Sequence, residues 1–169
     1  MPTQRDNDNR YHLPYNAPGI LKGDVSGTDS LPWALYSIGN SVSRSSLQHS
    51  AAELEQGFVV DVPDGDNIHL VRLAPGSYIQ STLESALGTH IRYCKENEYK
   101  LEYFPYGFLV VHHKDWANQG LWLVYVDFEG KHRVTAFRLE AANIGEVCSS
   151  LRDDDESASQ LEPSYKIKD

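Results

Sequence analysis

The chain has 169 residues, 40% of them hydrophobic, which suits a single domain whose core needs no disulfide or metal to hold it. Its 15 Lys and Arg against 24 Asp and Glu give a formal net charge of -9 at pH 7. This charge repels phosphate backbones and anionic lipid, so we expect neither nucleic-acid binding nor membrane attachment. A basic protein or a neutral small molecule is the better-matched partner.

The cysteines and the chain ends indicate the compartment. Cys94 and Cys148 lie far apart in neither a CxxC nor a zinc-ligand spacing, a pattern typical of two buried thiols in a reducing compartment. The first residues, MPTQRDNDNR, lack the apolar run of a secretory signal. We therefore expect a cytoplasmic protein with no cofactor and no bound metal.

Composition divides the chain into three parts. Residues 1–19 are polar and rich in Pro, Asn and Asp, which predicts a flexible arm. Residues 152–169 begin with Arg152, which is followed by three Asp and a Glu in a row, and this run predicts an acidic, solvated tail. Residues 20–151 between them show no repeat and no linker, so we predict one domain there.

Helix signals in the first half come from Pro, Gly and capping residues. Pro32 within a first turn and Gly39 after a last one predict a short helix near residues 29–40. A second helix is predicted to stop at Gly57, and a third to begin with the capping box of Ser77 and to stop at Gly88.

Strand signals follow the alternation of apolar residues. A turn cluster at residues 63–67 predicts a hairpin of strands 58–62 and 68–73. Four consecutive strands are predicted downstream, at residues 99–104, 107–112, 121–127 and 133–139, followed by a helix over 141–151. The fold class is therefore α+β: one domain with a mostly antiparallel sheet of five or six strands, flanked by three or four helices.

Part of this order resembles a small α/β domain family of unknown function found in bacteria and fungi. The residues that carry the resemblance are a strand FLVVHH from Phe108, a polar gap, a strand ending in Asp127, then Gly130, a strand with Arg133 or Arg138, and a helix. The resemblance covers residues 108–151 and departs from the family pattern after them, where an acidic run replaces an Asn-Met-Asp-Phe-like segment. It implies a fold and no activity.

A His-carboxylate pair is the simplest catalytic unit that this sequence allows. His112 and His113 are adjacent on a strand, so they point to opposite faces and cannot both ligate one metal. Asp127 ends the apolar strand and Glu102 lies in the strand predicted over 99–104, so either carboxylate could orient one imidazole as general acid or base. A structural or exposed His, and an Asp that bonds its own turn, are the alternatives.

Tyrosine is the one enriched residue class. Tyr99, Tyr103 and Tyr106, with Trp116, concentrate aromatic side chains in a short region. Tyr combines an apolar ring with a polar tip, so this cluster suits sheet packing, a protein interface or a small-molecule pocket.

Two functions follow from these features. The first is a small acidic protein-interaction module, of the inhibitor or immunity type, that binds a basic protein through its Tyr-rich region. The alternative is a cofactor-free, metal-independent enzyme, an isomerase, cyclase or dehydratase (a lyase), with a His-carboxylate pair in a pocket between sheet and helices. The partner would be a protein or a small neutral molecule, and the chain could also form a homodimer.

Overall fold

A computed structural model of the chain describes residues 31–39, 42–59, 71–75, 79–127, 133–152 and 156–168, with the backbone alone at 56–59 and 127. The strands are β1 (Trp33–Ile38), β2 (Val71–Leu73), β3 (Ile79–Gln80), β4 (Gly107–Val111), β5 (Leu121–Asp127) and β6 (Arg133–Leu139). The helices are α1 (Arg44–Val59), α2 (Leu83–Glu96), α3 (Trp116–Gln119), α4 (Ile144–Arg152) and α5 (Ala158–Tyr165), with a 3-10 turn, Ala141–Asn143, before α4.

The sheet is mixed. Its order is β2-β1-β4-β5-β6, with β3 also paired to β1. β1 runs parallel to β2, β3 and β4, whereas β4, β5 and β6 form an antiparallel meander. Parallel neighbours need long crossover connections, and α1 and α2 lie in those connections. The class α+β is therefore right, and the mostly antiparallel sheet is corrected to a mixed one.

The main error of the sequence prediction lies at β1. The segment predicted as a helix over residues 29–40 contains a strand, and all six of its residues are buried. A strand covered on both faces is a continuous apolar run without alternation, so its pattern does not distinguish it from a buried helix. Pro32 and Gly39 delimit the strand just as they would delimit a helix.

Two predicted helix ends are also wrong. α1 continues through Gly57 to Val59, and α2 continues through Gly88 to Glu96. α2 begins after Thr82, whose Oγ1 accepts the Ser85 amide at 3.0 Å while the Ser85 hydroxyl accepts the Thr82 amide. The predicted cap at Ser77 lies outside the described residues.

The predicted strands fare differently in the two halves of the chain. β5 and β6 have the predicted bounds, and β4 ends at Val111, one residue before its predicted end. Residues 99–104 are an irregular loop rather than a strand. Of the predicted hairpin, residues 58–59 belong to α1, residues 60–70 lie outside the described part, and β2 pairs in parallel with β1.

Each face of the sheet has its own core. On one face α1, α4 and α5 pack over side chains that include Trp33, Leu109 and Phe137. On the other face α2 packs over side chains that include Tyr36, Phe108 and Val124. None of the helices in the described ranges has the length and apolar character that crossing a membrane requires.

The flexible tail predicted from residue 152 is corrected in its last part. Helix α5 begins after Ser157, which forms a capping box with Gln160, and it buries Ala158 and Leu161 in the core. After it, the Ile167 amide donates to the Arg138 carbonyl of β6 at 2.8 Å. The predicted arm at residues 1–19 lies outside the described part of the chain.

Candidate functional site

Among the described residues, the most exposed aromatic side chain lies in the connection from α2 to β4. We call residues 97–106 the aromatic loop. Tyr99 near its tip has a relative exposure of 101%. Leu101, Tyr103 and Tyr106 in the same loop are half-buried. Three of the four aromatic residues predicted to contact a partner or ligand therefore belong to one short segment.

Hydrogen bonds to Tyr93 hold the tip of the loop in one conformation. The Asn97 amide donates to the Tyr93 carbonyl at 3.0 Å, and the Lys100 amide donates to the Asn97 carbonyl at 2.9 Å. The Glu102 amide donates to the Tyr93 hydroxyl at 2.9 Å. Tyr93 thus binds the backbone on both sides of the Tyr99 tip, at Asn97 and Glu102, although it was not among the predicted site residues.

The second half of the aromatic loop is joined to the sheet. The Phe104 amide donates to the Pro32 carbonyl at 2.8 Å, and the Val126 amide donates to the Tyr106 carbonyl at the same distance. The Phe104 ring is buried against Trp33, with ring centroids 4.8 Å apart. These contacts fix the base of the loop on β1 and β5.

A buried histidine provides one further attachment. His90 of α2 is fully buried, with Nε2 3.1 Å from the Pro105 carbonyl and Nδ1 3.0 Å from the Tyr36 hydroxyl. A carbonyl oxygen can only accept, so Nε2 carries the proton and Nδ1 accepts from Tyr36. Both ring nitrogens of the neutral imidazole are therefore satisfied.

Burial sets the protonation states around this pair. Loss of solvation lowers the pKa of His90 to about 4, although backbone hydrogen bonds at Pro105 and Phe104 oppose this effect. Burial also raises the pKa of Tyr36 far above its usual range. His90 and Tyr36 are thus neutral near pH 7 and act as a structural pair rather than as an acid and a base.

The half-buried tyrosines at the base of the loop pack on each other. The Tyr93 and Tyr103 rings meet edge to face with centroids 5.6 Å apart, an arrangement favourable for aromatic pairs. Partial burial, followed by the charge of the nearby Glu102 carboxylate, raises the pKa of both phenols, although the hydrogen bond from the Glu102 amide lowers that of Tyr93. Both phenols stay protonated and can donate hydrogen bonds at neutral pH.

Trp116 does not belong to this surface. It begins α3, which follows β4, whereas the aromatic loop precedes β4. The five residues of β4 span about 17 Å. Trp116 is half-buried and packs against the core on the α1 face, so the structure separates it from Tyr99, Tyr103 and Tyr106.

The two candidate histidines occupy the same end of β4 as Trp116, but in different surroundings. His112 is half-buried, and its ring meets the Trp122 ring at a centroid distance of 6.4 Å. The His113 Nδ1 accepts the Asp115 amide at 3.0 Å, which is a turn contact. The nitrogen that a carboxylate would have to orient in His113 is therefore used by the backbone.

The candidate carboxylates lie at the opposite end of the sheet. Glu102 is exposed in the aromatic loop, and Asp127 closes β5 opposite Arg133. β5 runs antiparallel to β4, with Trp122 beside Val110 near the histidines. Asp127 follows five residues later, about 17 Å further along the strand. The backbone of Asp127 is therefore far from His112 and His113, and Glu102 lies in the loop at the other end of β4.

Neither cysteine has a reactive setting. Cys94 and Cys148 are both free and buried. Burial raises the pKa of Cys94 to about 12 and raises that of Cys148 still further. Nucleophilic and metal-binding cysteines need an accessible thiolate, so both residues serve as small apolar core side chains.

The described residues hold no cluster of three or more His, Cys, Asp or Glu side chains that could bind a metal ion. The surface of the described residues includes the following two depressions. One of ≈ 600 Å³ follows α2 beside Leu87 and Ile91. The other, of ≈ 360 Å³, lies between α3, Glu140 and Ile167. The described lining of both depressions excludes the four predicted catalytic residues.

Sequence reasoning missed the residues that hold the loop. His90 lies on the buried stripe of α2 with Leu83, Leu87 and Cys94, and this stripe continues at helical spacing beyond Gly88. Following that period past the glycine would have placed His90 in the core. No sequence pattern pairs it with Tyr36, which comes 54 residues earlier.

Comparison with known proteins adds no further assignment. No protein-family model matches the chain, and neither curated proteins nor solved structures give a significant match. The family resemblance of residues 108–151 stays a prediction, and the function has to be argued from the geometry of the chain itself.

Proposed function

We propose that this chain is a small protein-interaction module, of the inhibitor or immunity type, which binds a basic protein through the aromatic loop. The observation that carries the proposal is Tyr99, a large side chain that is fully exposed on a loop held by the core. An apolar ring displayed to solvent costs free energy that a partner surface can recover. Its hydroxyl supplies a directional contact.

The fixed loop favours binding because little order has to be gained on association. Immobilising a flexible side chain or loop in a complex costs about 0.5 to 1.5 kcal/mol per side chain. Here the backbone of residues 97–106 already has hydrogen bonds to Tyr93, Pro32 and Val126. Exposed aromatic residues in such positions are enriched among those that dominate binding energy.

The net charge of the chain indicates that the partner carries a positive charge. Acidic and basic side chains occur in equal numbers where the structure describes them, so the net charge of -9 comes from the other segments and Asp127. These include the acidic residues of 61–66 and 153–155. A net negative field attracts a basic protein at long range, while the aromatic contact supplies short-range affinity.

Site-specific photo-crosslinking in the native cell tests the proposal. A benzophenone amino acid replaces Tyr99 in one version of the full chain and Gln48, exposed on α1, in a control version. We expect position 99 to capture a basic protein that position 48 does not capture. The captured protein is then purified and its affinity for the unmodified chain is measured.

The affinity measurements decide the role of the ring. Tyr99→Ala should weaken binding at least about 30-fold, Tyr99→Phe less, and Gln48→Ala should leave it unchanged. Raising the salt concentration from about 0.05 to 0.3 M should slow association. A captured partner that is acidic, or that binds Tyr99→Ala as tightly as the unmodified chain, contradicts the proposal.

A further inference from the structure

β6 is the last strand of the sheet, and its outer edge is only partly paired. On its inner side β6 pairs with β5 along its full length. On its outer side, within the described part of the chain, Lys166 bridges to Leu139 and the Ile167 amide donates to the Arg138 carbonyl. The C-terminal segment 166–168 thus lies antiparallel to the last residues of β6.

Two hydrogen bonds show which backbone groups point outward. The Arg138 carbonyl is directed to the outer edge because it accepts from Ile167. Backbone groups alternate in direction along a strand, so the amides and carbonyls of Val134 and Ala136 also point outward. The Val126 amide, opposite Val134, points the other way, towards Tyr106 of the adjacent segment, which agrees with this alternation.

The side chains beside these groups lie on the two faces of the sheet. Val134 and Ala136 are half-buried on the α2 face, whereas Thr135 and Phe137 are buried on the opposite face. The stretch from Arg133 to Phe137 is about 17 Å long, which matches a typical strand. In the part of the chain that the structure describes, no strand pairs with Val134 and Ala136 on this outer side, and an open strand edge is a template for an added strand.

The charge along this edge is opposite to that of the whole chain. The residues of β6 and of the 166–168 segment comprise Arg133, Arg138, Lys166 and Lys168 but no acidic residue. Glu162 contacts Lys166 at 3.6 Å, and Glu140 lies just beyond the strand. A second copy pairing β6 with β6 would oppose cation to cation, whereas an acidic segment would be attracted.

We infer that the outer edge of β6 binds an extended acidic segment of another protein as a seventh strand. The amides and carbonyls of Val134 and Ala136 supply the backbone hydrogen bonds. The two small side chains accept apolar residues at alternate positions of the segment, and the flanking cations select acidic residues between them. This site is independent of the aromatic loop.

Fluorescence anisotropy with the full chain tests the inference. The probe is a labelled peptide of about eight residues that alternates Glu and Val. Control peptides alternate Lys and Val, or keep the Glu content with Pro at the centre. We expect the Glu-Val peptide to bind at low salt at least about tenfold more tightly than either control. Its affinity should fall as the salt concentration rises.

Ala136→Pro removes an outward amide without removing a hydrogen bond to β5, as is tolerated on edge strands. This substitution should weaken binding of the Glu-Val peptide at least about tenfold. Amide exchange in the unmodified chain gives an answer that needs no variant: the peptide should slow exchange at Val134 and Ala136. Absence of Glu-Val binding, equal binding of the Lys-Val peptide, or protection confined to other residues overturns the inference.

Discussion

Acidification from pH 7 to pH 5 should destabilise this fold mainly through His90. The side chain is fully buried between the Tyr36 hydroxyl and the Pro105 carbonyl. Its pKa is lowered from the ordinary value of 6.5 to about 4. In the unfolded chain the imidazole takes up a proton near pH 6.5, whereas in the folded chain it stays neutral until about pH 4.

The direction and size of the effect follow from proton linkage. Between these two values the unfolded state binds more protons, so stability is present above pH 6.5 and is lost as the pH falls towards 4. From pH 7 to pH 5 the free energy of unfolding should drop by about 2 kcal/mol. Cys94, Tyr93 and Tyr103, which interact electrostatically with Tyr36, have raised pKa values and remain neutral over this range.

Urea unfolding at pH 7, 6 and 5 measures this loss. His90→Gln is the matched variant, because Gln can donate to the Pro105 carbonyl but does not titrate. We expect the variant to be less stable at pH 7 and to lose about 2 kcal/mol less than the unmodified chain on going to pH 5. If both proteins lose the same stability between pH 7 and pH 5, His90 does not cause the loss at low pH, and the expected proton linkage is wrong.

Three further changes test packing. Gly107→Ala should lower the free energy of unfolding by at least about 2 kcal/mol in chemical denaturation, because a Cβ there would clash with the Trp33 ring. Gly88→Ala should be neutral or stabilising, since a Cβ there would have nothing within 4 Å. Leu161→Ala should lower the free energy of unfolding by about 3 kcal/mol because Leu161 is 2% exposed. If it lowers stability only as much as Ser164→Ala, at an exposed position of the same helix, then α5 does not pack on the core. The two thiols should react with a disulfide reagent at least about a hundredfold more slowly in the folded than in the urea-unfolded chain, and a fast native reaction would contradict their burial.

The parts of the fold that sequence predicted well are those with local signals. β5 is a short apolar run, β6 alternates, and the two strands pair with each other. The pattern of each strand and the identity of its partner are both contained within twenty residues. β1 pairs in parallel with strands that follow it by long crossovers. Its partners are distant and its double burial leaves no local period, so Pro32 and Gly39 at its ends outweighed the apolar run and favoured a helix.

α5 shows a signal that was present but outweighed. Ser157 and Gln160 have the spacing of a capping box, and Ala158 and Leu161 are three residues apart on one face. The acidic run before them dominated the composition and predicted a solvated tail. Eight residues with two apolar anchors are too few to outweigh composition, and only packing against the core makes the helix stable.

For the aromatic loop, composition and conformation gave different results. The clustered tyrosines Tyr99, Tyr103 and Tyr106 do lie in one short segment, but their alternation predicted a strand where the structure has a loop. What makes this segment a loop is external: Pro32 of the segment before β1, His90 of α2 and Val126 of β5 bind its backbone. These partners are distant in sequence, so their effect could not be predicted from the segment itself.

This external attachment separates the position of the aromatic loop from the chemistry it displays. The groups that hold the loop are backbone atoms, the half-buried Tyr93 and buried side chains such as Phe104 and His90. The side chains of Tyr99 and Glu102 are exposed. Exposed positions can therefore change without moving the loop, since such substitutions usually alter stability by no more than about 0.5 kcal/mol. The proposed binding surface could therefore change its specificity through exposed side chains, while the fold constrains the backbone that carries them. Loss of binding on replacing Tyr99 would then reflect the contact itself, whereas loss on replacing Phe104 would reflect the position of the loop.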